Sequence, residues 1–318
     1  MNTSLLTGAR LRVSHAACDD ALIRFDFGPG GPDPLRLPCP RLAGPLQPEC
    51  WRVGAIGESA STPEAAWAHG EHYAMVAISV AEAEGDIEQA ASLAYARLLA
   101  RVRSSAHPYL LRIWNYFSAI NEGEGDNERY RRFCVGRARN VDDAFNDPPP
   151  AATAIGACGT SDRLQVIALC ARHPAIALEN PRQTPAWRYP REFGPAAPGF
   201  SRGALLDAGS DAPCLLASGT ASIVGHVSQH IGDVGAQLTE SLANLQALLA
   251  EGAAIAQREF SLARCQALRV YLRHEQDLAV AQTVIAASKL PAERVLYLHG
   301  EVCRRELDVE IEGVFAAG

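Results

Sequence analysis

Arginines and carboxylates recur together at three places in this chain, at two of them with aromatic residues, and their chemistry is that of gripping a small organic acid. The first place is LLRIWNYFSAINEGEGDNERYRRFCVGRAR, residues 110–139, where a strand-like run leads through a Gly/Asn/Asp-rich turn to Arg129, Arg131, Arg132, Arg137 and Arg139. Guanidinium groups stay charged at any working pH and bind carboxylates bidentately. The chain as a whole is acidic, with a formal net charge of -7, so this cluster runs against its background. Trp114, Asn115, Tyr116, Asn121, Tyr130 and Cys134 interleave with the charges, which favours a pocket for a carboxylated molecule over a solvated arginine face. The second place is ENPRQTPAWRYPREFGPAAPGFSRG, a long Pro/Gly-pinned loop with Arg182, Arg188, Arg191 and Arg202 among Trp187, Tyr189 and Phe193. Ordered loops of that length are usually functional. The third is VCRRELDVEIEG: along a strand, Asp308, Glu310 and Glu312 share one face, and Val309 and Ile311 the other. A solvated edge would explain this alternation too. If the face meets a cleft, a desolvated carboxyl there can hold and donate a proton at neutral pH.

Other chemistry is weaker. His69 with His72, and His226 with His230, lack an HExxH context or a cysteine pair, so no metal site is expected, and His226 reads as a strand end or turn. Gly123 and Gly125 form a GxG without the third glycine or the following helix of a nucleotide loop, so a turn is expected. Cys134 and Cys303 are candidate reactive thiols, although a small packed residue is the commoner role. Nine scattered cysteines without CxxC pairs predict reduced thiols, and the start MNTSLLTGARLRV has no export-type apolar core. No apolar run is long enough to span a bilayer. The expectation is a cytoplasmic protein with no membrane or nucleic-acid partner, the single lysine, Lys289, and the acidic balance speaking against the latter.

The elements that must position these groups follow from periodicity. Hydrophobic content of 48% and charged content of 20% are ordinary for a globular chain, and 318 residues predict two domains. The first 60 residues are rich in Pro and Gly and read as irregular strands and loops. YAMVAISV, a helix over GDIEQAASLAYARLLARVRSS, and PYLLRIWNYF form a β-α-β unit. DPPPAAT is the linker candidate, which puts the domains at 1–146 and 154–318. Beyond it the spacing predicts strands at LQVIALCAR, AIALEN and PCLLASGTASIVG, a long helix from DVGAQL, a strand at CQALRVYLRH, a helix at DLAVAQTVIAASKL, and strands at RVLYLHG and ELDVEIEGVFA. The expected fold class is α/β (α+β): two mixed sheets, each with helices on one face, and a site in the cleft between them.

With those segments in view, the chain resembles the chorismatases, which release pyruvate from chorismate. The matching segments are LLRIWNYFSAIN, ERYRRFCVGRARN, ENPRQTPAWRYPREFGPAAPGFSRG, LLASGTASIVGH and LYLHGEVCRRELDVEIEG. The resemblance implies two RidA/YjgF-like (chorismate mutase-like) domains and no cofactor. It makes Glu310 the acid that protonates the enolpyruvyl methylene. It assigns the substrate carboxylates to Arg137, Arg182 and Arg202, then Arg129 and Arg188, with Tyr189 and Tyr130 as ring contacts and Thr220 beside them. Gly219 in SGTA and Cys303 in EVCRRE match the branch that forms 3-hydroxybenzoate, whereas the branch that forms a dihydroxycyclohexadiene carboxylate carries Ala in the first position. The ending looks most like members that also make 4-hydroxybenzoate for pigment and ubiquinone pathways. Trp187 departs from the family pattern, where Tyr is expected. The alternatives are the dihydrodiol-forming hydrolase and a RidA-like protein that binds carboxylates without turnover or deaminates imines. Whether the protein is a monomer or a trimer stays open.

Overall fold

The computed structural model describes residues 11–318 except 19, 29–32, 83–85, 143–144, 146–147 and 159–160. The reading of the first ten residues as free of an export signal, and the start of the linker at Asp147, lie outside the described residues.

Two mixed sheets carry the molecule. The first has six strands in the order Ala151–Ala157, Tyr109–Ser118, Arg163–Ala171, Tyr73–Ala81, Ala65–Gly70 and Ile56–Ser61. The second has seven: Ile176–Leu178, Gly203–Leu206, Cys214–Ala221, Val309–Ala316, Cys265–Leu272, Val295–His299 and Arg41–Ala43. Helix α1 (Ile87–Arg103) forms because Ile87, Ala90, Ala91, Ala94, Tyr95, Leu98, Leu99 and Val102 recur at helical spacing and are all buried. Its start is set by Asp86, whose carboxylate accepts from the Glu88 and Gln89 amides at 3.1 and 3.2 Å. Helix α2 (Arg129–Ala138) crosses α1 at Gly136, where a Cβ would overlap the carbonyl oxygen of Glu88. Helices α3 (Val234–Ala256) and α4 (Leu278–Ala287) cover the second sheet through Leu238, Leu242, Leu245, Leu248, Ala281 and Ile285.

The uncovered faces meet each other. Met75, Leu111, Trp114, Tyr116 and Ile167 of the first sheet share one core with Ala204, Leu216, Tyr271, Leu296 and Val314 of the second. The Pro/Gly-rich start closes this core with a small sheet of Arg12–His15, Glu49–Arg52, Ile23–Phe27 and Arg36–Leu37. Its Trp51 and Phe25 pack edge-on to Trp114, with ring centres 5.2 and 5.4 Å away. Each sheet thus has helices on one face, as expected, and the two other faces pack on each other.

Four expectations need correcting. The strand LQVIALCAR, read as part of the second unit, sits in the middle of the first sheet between Tyr109–Ser118 and Tyr73–Ala81, and Ala151–Ala157 joins the same sheet. The sheets thus part after Ala171, not at the prolines. Pro149 and Pro150 are pinned instead, their carbonyls accepting from the Ser201 hydroxyl and amide. The strand Arg41–Ala43, from the irregular start, pairs into the second sheet. A helix, α2, does follow the Gly123–Gly125 turn, where none was expected. Finally, Cys18 and Cys50 are joined in a disulfide, while seven cysteines are free thiols. Among the described residues no helix is long and apolar enough to cross a membrane.

Candidate active site

The alternation of the last strand decides what its carboxylates meet. Val309 and Ile311 enter the core under α3 and α4, and Glu310 and Glu312 turn to the opposite face. That face is covered by the first sheet, so both carboxylates are buried, 5% and 4% exposed; Asp308 precedes the strand and is only partly buried. The pairing of Cys214–Ala221 with the last strand slips between Ala217 and Thr220, a bulge that brings Gly219 against Glu310. A Cβ at Gly219 would overlap Glu310 Oε1, so only glycine leaves the carboxyl its place.

A cavity of about 480 Å³ opens in front of this pair, between the two units. One wall comes from α2 and the preceding turn (Tyr130, Arg131, Arg137), another from the loop 179–202 (Tyr189, Phe193, Arg202) and a third from residues 303–306. Thr153, Gly219 and Glu310 form its floor. The walls are tied together: the Ala152 amide donates to Ser218 Oγ at 3.1 Å, and the Gly219 amide to Thr153 Oγ1 at 2.9 Å.

The arginines divide into two groups. Arg129 pairs with Glu82 at 2.6 Å, Arg132 with Asp86, Arg139 with Glu88, and Arg182 with Glu240 at 2.6 Å while also donating to Asn244. Arg188 is exposed on a 3-10 turn. None of these five lines the cavity, which corrects the expectation for Arg129, Arg182 and Arg188. The local carboxylates that neutralise the first and second of those are distant in sequence. Arg137, Arg202 and Arg304 are different: all three line the cavity, and none has a carboxylate within ion-pair distance among the described residues. They are held by neutral acceptors instead. Arg137 donates to the Gly199 carbonyl at 3.0 Å, Arg202 to the Thr184 carbonyl and the Tyr189 hydroxyl at 2.8 Å, and Arg304 to the His226 carbonyl at 2.9 Å. Each keeps one buried nitrogen without a protein partner, Nε in Arg137 and Arg202 and Nη2 in Arg304. A buried cation without a counter-ion is costly, and a bound anion removes that cost.

Glu310 completes the electrostatics. Burial pushes its pKa up to about 8, the neighbouring Glu312 charge adds to this, and Arg112 and Arg202 oppose it. The carboxyl therefore holds a proton at neutral pH. Glu179, raised to about 7 by burial, accepts from the Arg202 amide at 3.1 Å and does not line the cavity. Cys303 lines the cavity, but burial and the Glu310 charge raise its thiol, and burial raises Cys134, so neither is an activated thiolate. Tyr130 and Tyr189 line the cavity. Thr220 does not: it is buried on the other side of the bulge, its hydroxyl donating to the Ser218 carbonyl at 2.9 Å. His226 sits in the turn of the short hairpin Ile223–Val224 and Val227–Ser228, facing Phe193 at 5.6 Å.

Sequence reasoning missed Arg304, Thr153 and Phe200. Arg304 was in plain view in VCRRELD, where the carboxylates drew the attention, and its guanidinium lies 4.4 Å from the Phe193 ring centre. Thr153 had no signal, because only sheet packing puts it under Gly219.

A sequence model of the family described as "Chorismatase FkbO/Hyg5-like, N-terminal" matches residues 49–170. A chorismatase of Streptomyces rapamycinicus is 37% identical over 275 residues, covering 84% of this chain and 82% of the relative. A 3-hydroxybenzoate synthase of Streptomyces hygroscopicus is 32% identical over 276 residues, 84% of this chain and 80% of that one. A crystal structure of a chorismatase superposes with a TM-score of 0.82 at 30% identity, over 96% of this chain and 98% of the other. The likeness runs through both sheets and the cleft between them, and the chain belongs to the chorismatase family.

Proposed function

We propose that this enzyme cleaves chorismate to pyruvate and hydroxybenzoate, 3-hydroxybenzoate being the main aromatic product and 4-hydroxybenzoate accompanying it. The relatives named chorismatase and 3-hydroxybenzoate synthase support the substrate and the product class. One observation carries the mechanism: a buried carboxyl that keeps its proton stands at the floor of a cavity in which Arg137, Arg202 and Arg304 lack carboxylate partners among the described residues.

Arg137, Arg202 and Arg304 take up the two substrate carboxylates, and Tyr130, Tyr189 and Phe193 contact the ring. Glu310 gives its proton to the methylene carbon of the enolpyruvyl ether. The double-bond electrons form the new C–H bond and an oxocarbenium-like centre remains. A substrate hydroxyl then takes part, pyruvate leaves and the ring aromatises. The proton lost on aromatisation balances the one donated, and pyruvate plus hydroxybenzoate together contain the atoms of chorismate, so no water is consumed. Neutralisation of the dianion by arginine makes this step feasible beside Glu312, since free carboxylates would repel the acid's conjugate base.

Incubation of the purified protein with chorismate, followed by chromatography of all aromatic products and of pyruvate, tests the reading. The Glu310→Gln variant is expected to lose about 10²–10⁴-fold in kcat, with chorismate still bound in calorimetry. A non-aromatic diene as sole product would reject the hydroxybenzoate assignment, and full turnover by the Gln variant would reject the acid.

A further inference from the structure

Glu312 shares its strand face with Glu310 but points away from the cavity lining, into the layer between the sheets. Its carboxylate accepts from four donors: Arg112, Thr153 Oγ1 at 2.6 Å, Arg269 Nη1 at 2.9 Å and the Tyr271 hydroxyl at 2.7 Å. Thr153 is the joint of this set. Its hydroxyl donates to Glu312 Oε2 and accepts from the Gly219 amide at 2.9 Å, so the carboxylate of Glu312 is linked in two steps to the backbone that lies against Glu310. Arg112 also donates to Thr153, which fixes the hydroxyl from a third side. The charges around Glu312 cancel: Arg112 and Arg269 stand against Glu312 and Glu49, the latter bound to Arg269 at 2.6 Å. Arg112 and Arg269 thus hold the Glu312 carboxylate in place from two sides.

We propose, on the basis of the acid role given to Glu310 above, that Glu312 is a positioning residue: through Thr153 it seats Gly219 beneath the acid. The charge of Glu312 also favours the proton on Glu310. The charged and titratable groups that face Glu310 from the surrounding elements are Glu312 on its own strand, Tyr271 on the adjacent strand, Arg112 on Tyr109–Ser118 of the first sheet, Tyr130 on α2, Arg202 in the long loop and Cys303 before the last strand. Arg112 and Arg202 work against the effect of Glu312, and the tyrosines and the thiol are neutral at pH 7. Glu312 is thus the one fixed negative charge in this set.

The test uses Thr153→Val, Thr153→Ser and Glu312→Gln in the full chain, with kcat and KM measured across pH and melting temperature as the check of folding. Thr153→Val keeps both arginine–Glu312 pairs and removes the joint together with the Arg112–Thr153 bond. It is expected to lower kcat by up to about 10²-fold with KM little changed, and the Ser variant to restore most of it. Glu312→Gln, where it folds, is expected to move the alkaline limb of kcat to lower pH by about one unit or more, because the repulsion that holds the proton is gone. Wild-type kcat and pH profile in a folded Thr153→Val protein would overturn the proposal, as would an unmoved limb in folded Glu312→Gln. These outcomes are separable from a failure of the acid assignment itself, which would show as an active Glu310→Gln protein or as no product from the unmodified enzyme.

Discussion

Glu310 is set to keep a proton by its burial and by the charge of the neighbouring Glu312, with Gly219 leaving its carboxyl room. With a pKa of about 8, the proton-bearing form falls away tenfold per pH unit above that value, so kcat is expected to decline above about pH 8, in a pH–rate profile with chorismate. The same shift links to stability. A carboxyl whose proton is held more tightly folded than unfolded, where 4.5 is its ordinary value, favours the fold at low pH, and that contribution is lost as pH rises towards 8. Urea unfolding from pH 5 to 8 should show the loss, and Glu310→Gln should flatten it. Gly219 is the second residue-scale lever. Gly219→Ala places a methyl where Glu310 Oε1 lies, so the carboxyl must turn aside. The expected outcome is a loss of about 10²-fold in kcat and a larger share of dihydrodiol among the products separated by chromatography.

At the scale of elements, the site depends on pieces of very different regularity. The last strand and Cys214–Ala221 supply the floor, and the irregular step between them is what aims Gly219 at the acid. The loop 179–202 supplies an arginine and three aromatic rings, and is held by Arg202 to Thr184 and Tyr189 and by the exposed bidentate pair of Arg191 with Asp126, which ties it to the turn before α2. Helix α1 carries no cavity residue, yet it backs α2, which carries four. Its cap is therefore felt at the site. Asp86→Ala is expected to cost about 1 kcal/mol of stability, read as a lower urea midpoint at unchanged slope. The Arg132–Asp86 pair goes with it, although a half-exposed pair adds little.

Across the whole molecule, the two sheets are joined by apolar packing and by one buried ionic network, Glu49–Arg269–Glu312–Arg112, with the Tyr116 and Tyr271 hydroxyls at 2.8 Å from each other inside it. Burial opposes the charge on Glu49, and the Arg269 guanidinium overcomes it, holding the carboxyl below its usual range. The network draws on the N-terminal strands and both sheets, so the irregular start is part of the machinery that orients the floor. Arg269→Met leaves two buried carboxylates short of a cation. A loss of about 3–5 kcal/mol is expected in urea denaturation, with the small N-terminal sheet among the parts released early in hydrogen exchange.

What the sequence by itself determined was local. Helical spacing after Asp86 marked α1, the alternation in LDVEIEG put Glu310 and Glu312 on one face, and the company of Arg, Tyr and Phe marked the loop and α2 as a binding region. These are legible because a period of 3.6 or 2 is written in consecutive residues. Tertiary structure decided which of those groups are used. Arg129 and Arg182 look like Arg137 and Arg202 in sequence, but carboxylates brought from Glu82 and Glu240 spend their charge, while no carboxylate reaches the other two among the described residues. The placement of Arg163–Ala171 within the first sheet, the bulge at Gly219 and the seat of Thr153 beneath it are likewise set by pairing between distant segments. Such pairings depend on shape and counter-charge across the cleft, and no run of neighbouring residues records them.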